Sequence, residues 1–198
     1  LEARLDEALD RLAAEHDGAT SPGRRARFAA VAAFGAALAA RHAAARRWAE
    51  LARSQADDAA SLAVTTAAET FSSCLAPPGD GARPSGELRF DPGWAEEDAC
   101  VVGYLATEAA MSSGRLGDAE AFALAYLDRT WEASSQAPLM ARIALARALV
   151  FEGRVADAAE AIAVSRVEAE AAGALPVRML SASTAAYIEA LLENVGET

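Results

Sequence analysis

Apolar residues come along this chain in long alanine-rich runs interrupted by Gly, Pro and Asp. The runs have helical rather than strand length. A first helix is predicted over 2–16, stopped by Asp17-Gly18. Ser21 can cap a second, with Pro22 at its first position, the one place where proline suits a helix; it runs to about 42. A third covers 45–74 and is long enough to be broken. Between Leu75 and Gly93 the chain reads APPGDGARPSGELRFDPG, whose four prolines and four glycines cannot continue a helix. Asp91-Pro92 then opens a helix to 113, followed by helices over 116–134, 138–152, 155–172 and 176–194. The expected class is all-α, with about eight helices.

A short turn repeats. Gly114-Arg115-Leu116-Gly117-Asp118-Ala119 returns 39 residues later as Gly153-Arg154-Val155-Ala156-Asp157-Ala158. Written as Arg, large apolar, any, acidic, Ala, it recurs at Arg4-Leu5-Asp6-Glu7-Ala8, and more weakly at Arg47-Trp48-Ala49-Glu50-Leu51. The chemistry is that of a helical hairpin. Gly past a helix end supplies a left-handed cap, the apolar residue packs back between the helices, the acid meets the next helix dipole, and Ala allows close contact. The four arginines are separated by 43, 68 and 39 residues, and the Pro/Gly-rich stretch accounts for the long gap. The chain therefore divides into N-terminal helical repeats (1–74), an inserted loop (75–93) and C-terminal repeats (94–198), expected to form one continuous array. A loop this long is usually functional or disordered; a loose surface loop is the plain expectation, a partner-binding role the sharper one. The array begins on half a repeat and ends on an unpaired helix, which reads either as capping or as a segment of a longer array.

These residues resemble the tetratricopeptide repeat. The unit over 139–173 fits best: Leu145, Ala146 and Leu149 at first-helix core positions, Gly153 at the turn, Val155 after it, then Ala158 and Ile162 on the second helix. The unit over 101–131 matches at Gly114, Leu116 and Ala119 but has small residues, Ala106, Thr107 and Ala110, in its first-helix core. The two N-terminal units match only at their turns, and the spacing exceeds the family's usual repeat. The resemblance implies stacked antiparallel hairpins wound as a right-handed superhelix. Long alanine-rich repeats of this kind look like those of actinobacterial transcription regulators of the LuxR and MalT type, which implies a cytoplasmic interaction or sensor module of a larger regulator.

Composition adds little about mechanism but excludes some classes. All eighteen basic residues are arginine, and the net charge is −11. That balance argues against direct nucleic acid contact, which needs clustered basic charge; Arg24, Arg25, Arg27, Arg41, Arg46 and Arg47 read as solvated helix faces and ends. No apolar run approaches the ~20 residues of a membrane span. Cys74 and Cys100 fit no zinc or redox motif and read as small hydrophobes. His16 and His42 read as surface or helix-end residues, and Asp57-Asp58 and Glu96-Glu97-Asp98 as dipole-complementing acids rather than metal ligands. With no nucleophile motif and no phosphate loop, the expectation is a binding module, not an enzyme, with neither cofactor nor metal.

The family's register places the first helix of each hairpin on a concave face. It implies a groove of Tyr104, Glu108 and Met111 on one helix, Met140, Ile143, Arg147 and Phe151 on the next, and Tyr187 from the last, with Val101 and Val150 beside them. The bland reading of these positions is an ordinary Glu108–Arg147 ion pair beside core aromatics. The functional one is an apolar groove that takes a protein or peptide partner, or closes on a small-molecule effector. Exposed apolar surface on the terminal helices also points to homodimerisation.

Overall fold

In a computed structural model of the chain, residues 2–77, 87–91, 93–132, 135–173 and 175–196 are described. Among them are nine helices and no strand. None of these helices is long and apolar enough to cross a membrane. The chain divides into two compact units, Leu1–Gly114 and Arg115–Thr198. Most of the expected 75–93 loop, namely 78–86 and 92, lies outside the described residues.

The first unit holds α1 (Glu2–Gly18), α2 (Pro22–Leu38), α3 (His42–Gln55), α4 (Ala59–Leu75) and α5 (Glu96–Ser112). Ser21 caps α2 as expected: its hydroxyl accepts from the Arg24 amide at 3.3 Å, with Pro22 in the first turn. The expected 45–74 helix is two helices. Asp58 breaks it by a reciprocal cap. Its Oδ1 accepts from the Ser61 amide at 2.6 Å, and its own amide donates to Ser61 Oγ at 3.1 Å. An Asp with Ser three residues on is a capping box, and it follows the polar stretch Arg53-Ser54-Gln55-Ala56-Asp57.

The turn between α2 and α3 also differs from expectation. Arg47 and its neighbours lie in the middle of α3, and Arg4–Ala8 lies within α1. The true counterpart of the Gly153 turn is Ala40-Arg41-His42. Ala40 takes φ 56°, as Gly114 takes 75° and Gly153 81°. Arg41, Arg115 and Arg154 then share one backbone conformation, with φ/ψ of −88/60°, −90/65° and −89/58°. The hydrogen bonds match too: Arg41 N donates to Ala36 O and Arg154 N to Leu149 O, both at 2.9 Å. Ala45, Ala119 and Ala158, four residues after each arginine, are all buried. The motif was hidden because alanine stands where glycine would relieve the left-handed strain.

Helices α2, α4 and α5 run parallel. Arg27, early in α2, reaches the α4 cap residue Asp58 (Nη2 to Oδ2, 3.2 Å) and Asp98 in the first turn of α5 (Nη2 to Oδ2, 3.1 Å). Its Nε lies 2.7 Å from Asp98 Oδ1, an ionic contact without a directed hydrogen bond. Farther along, Phe34 of α2 meets Phe71 of α4 at 4.2 Å between centroids and Tyr104 of α5 at 6.2 Å. Arg27 is thus no solvated face residue. Parallel neighbours also explain the Pro/Gly-rich stretch: the connection from α4 to α5 must return over the length of α4, about 25 Å for 17 residues.

The second unit holds α6 (Leu116–Asp128), α7 (Ala137–Phe151), α8 (Val155–Ala172) and α9 (Leu175–Gly196). Its core is Leu139, Ile143, Ala146, Leu149, Ala158, Ile162, Ala169, Val177, Ala185 and Ile188. Arg154, at the start of α8, binds Glu120 of α6 at 2.7 Å, Glu152 at 3.2 Å and Asp157 at 2.8 Å. Helix α6 ends where Trp131 folds back: its indole donates to Tyr126 O at 2.9 Å, its ring packs edge-on to buried Tyr126, and Arg129 lies over it.

Two outcomes are expected. Ala40→Gly, which removes left-handed strain, raises stability by about 1 kcal/mol, and Gly153→Ala, at a site with open space for a methyl, lowers it by a similar amount; urea unfolding midpoints measure both. The second concerns Asp58. Burial raises its carboxyl, but hydrogen bonds from Ser61 and the charge of Arg27 outweigh that and hold it below the ordinary 3.8. A lowered folded pKa gives stability that is present above 3.8 and lost as pH falls through the folded value. Asp58→Asn keeps a cap acceptor, so the deficit of this variant relative to wild type is greatest at neutral pH and closes below about pH 4; denaturation at stepped pH reads it.

Candidate functional site

Within the second unit, α7 and α9 leave a cleft of about 360 Å³. Arg147, Val150 and Phe151 line it from the last turn of α7, and Leu180, Ser183, Thr184 and Tyr187 from α9. Each set lies on one helix face: steps of three and four residues keep side chains in one row. Phe151 is 59% exposed and Tyr187 56%. Two large rings thus stand in solvent over a recess whose remaining walls, Val150 and Leu180, pack on the core. Burying a side chain of that size is worth roughly 1.5–3 kcal/mol, a gain the isolated fold leaves unused.

The polar groups are few. Ser183 donates its hydroxyl proton to Leu180 O at 2.9 Å, leaving its oxygen to accept. Thr184 is largely buried, and Arg147 is half-buried and engaged by interactions of its own. The lining contains no His, Cys or carboxylate. Such a surface can hold an apolar group and orient it by a hydroxyl or guanidinium, but it offers no side chain to exchange a proton near neutral pH.

Of the eight residues expected to form the groove, three converge here: Arg147, Phe151 and Tyr187. Ile143 is fully buried and Met140 half-buried against the same core. Both lie on the stripe of Arg147 and Phe151, but one to three turns earlier, where core neighbours cover it. Periodicity gives the azimuth of a side chain, not where along the axis the stripe opens. Tyr104, Glu108 and Met111 belong to α5, in the other unit. Tyr104 packs edge-on to Phe34, while Glu108 is only 3% exposed and Met111 is buried, so neither of the latter two presents itself to a ligand. Leu180, Ser183 and Thr184 escaped sequence reasoning. Their signal was the i, i+3, i+4, i+7 row that ends on Tyr187.

Other candidate groups are structural. His16 lies at the end of α1 but is buried. It hydrogen-bonds Gln55 of α3 through Nε2 at 2.9 Å and packs edge-on to Trp48. Cys74 is exposed rather than packed, and Cys100 is half-buried. Among the described residues no three His, Cys, Asp or Glu side chains gather as a metal site would need. Compared with family models, curated proteins and solved structures, the chain matches none.

The contrast along α7 is measurable. Ile143→Ala is expected to cost about 3 kcal/mol through cavity formation. Phe151→Ala, eight residues on, is expected to change stability by less than about 0.5 kcal/mol, as for a surface position. Equal losses in chemical denaturation would mean that Phe151 serves the core instead.

Proposed function

We propose that this chain is a helical binding module that seats an apolar group of a protein or peptide partner in the cleft between α7 and α9. The observation that carries the reading is the pair of exposed rings, Phe151 and Tyr187, facing one recess. Aromatic anchors around a recess dominate binding energy in protein interfaces. The lack of acid–base side chains in the lining supports binding over catalysis. The resemblance of the 139–173 unit to tetratricopeptide repeats supports the same reading, since such repeats receive partner segments on first-helix faces, the part α7 would play. Its likeness to the repeats of LuxR- and MalT-type regulators supports a sensor role within a larger regulator.

One observation favours a second reading. A volume of about 360 Å³ falls within the range of small-ligand sites, near its lower end, so a compact apolar effector would also fit.

Thermal shift separates the two. A binder at 100 times its dissociation constant stabilises by ~2.7 kcal/mol. Stabilisation by a peptide or protein fraction that disappears in Phe151→Ala and Tyr187→Ala supports the partner reading, and a metabolite with the same dependence supports the effector reading. Stabilisation that survives both substitutions would place the binding site elsewhere and contradict the proposal.

A further inference from the structure

The face of α9 turned away from its own core carries an apolar row. Met179, Ala182, Ala186 and Ala190 follow one another at steps of three and four residues, so they line one side of the helix. All are exposed: Met179 is 64% exposed, and Leu192 at the flank 40%. Two charges bound the row, Arg178 at one end and Glu193 at the other. Among the described residues of the second unit, Arg178 is the one arginine without an ion-pair, hydrogen-bond or ring partner. Arg115, Arg142, Arg154 and Arg166 hold carboxylates, Arg129 lies over Trp131, and Arg147 is engaged. Glu193 is likewise unpaired among the described residues, whereas Glu189, one turn earlier, binds Arg166 at 3.0 Å.

We propose that α9 pairs antiparallel with α9 of a second copy of this chain, crossing at Ala186. A two-fold axis through that point brings Ala182 of one copy against Ala190 of the other, so the backbones approach closely over small side chains. It also sets Arg178 level with Glu193 of the second copy. Arg178 stands eight residues before the crossing and Glu193 seven after it, so the pair matches to about 1.5 Å along the axis. Both side chains lie on the same flank of the row, and the two-fold keeps them there, so each end of the contact closes with an opposite-charge pair. Tyr187 lies on the other flank, so the pairing leaves the α7–α9 cleft open. The row is therefore self-complementary in both shape and charge. The other apolar row of this unit is not. On α8, exposed Val164 and Val167 stand among Glu160, Glu168 and Glu170, and two copies would set like charges together. The α9 contact is about 22 Å long, shorter than interfaces of ~1,200–2,000 Å² require, so the dimer is reversible.

Sedimentation equilibrium from about 1 µM to about 1 mM, the span of weak and moderate affinities, tests it. Wild type is expected to shift from monomer to dimer across that range, with weaker association at high salt. Ala186→Arg at the crossing abolishes the dimer. Arg178→Glu and Glu193→Arg each weaken it roughly tenfold, and the double variant R178E/E193R recovers it. All three positions are exposed, and circular dichroism melts verify that the variants fold. A chain that stays monomeric throughout would overturn the proposal and leave this face to a different partner. A dimer indifferent to Ala186→Arg, or a double variant no better than the single ones, would overturn it equally.

Discussion

Where α2 meets its neighbours the contact surface is almost wholly alanine: Ala29, Ala30, Ala32, Ala33 and Ala36 are all fully buried. A methyl group removes little apolar surface from water, so each contact stabilises far less than a leucine would. What alanine offers instead is close approach of helix axes and the best helix propensity. The fold therefore gains its cohesion from many near-backbone contacts. Large side chains meet at only a few points, such as Phe34 with Phe71 and Tyr126 with Trp131. Between the last turn of α7 and the middle of α9 a recess remains, and Phe151 and Tyr187 stand exposed over it.

Helices that bury so little need their ends fixed, and arginine does this in both units. In the first, three parallel helices bring three positive dipole ends together, an arrangement unfavourable by itself. Asp58 and Asp98 offset it, and Arg27 ties the two carboxylates to α2. The approach is close enough that a methyl group on Gly23 would stand 2.6 Å from Asp57 Oδ1 and 2.8 Å from Asp58 Oδ2. In the second unit Arg154 plays a related part, holding the start of α8 to α6. An arginine can serve several acceptors at once because its donors form a rigid planar fork.

The all-α class was legible from alanine content, and α8 from its Gly153 and Gly173 boundaries, because glycine in a left-handed cap is a local requirement. Ala40 takes the same conformation, but nothing in its identity announces that. Asp58 was visible as an acid, but its role as a cap depends on Ser61 three residues on, and no glycine or proline marks the break. At the site, the row of Arg147 and Phe151 could be read because it follows helical period, and Tyr187 because it is a large ring in a late helix. Ile143 and Met140 share that row and are covered. Depth along a groove depends on which neighbour ends where, and that is decided by helices far apart in sequence. Parallel packing of α4 and α5 was equally out of reach, since it is set by long-range contacts of Phe34 and Arg27.

The proposed binding surface is the recess between the last turn of α7 and the middle of α9. Chemical-shift mapping of the ¹⁵N-labelled chain against a library of small apolar and aromatic fragments tests it most directly. Hits are expected to perturb Val150, Phe151, Leu180, Ser183 and Tyr187 together while leaving the α2–α4–α5 resonances still. Fragments that gather on another surface, or that bind nowhere while the protein remains folded, would contradict the account.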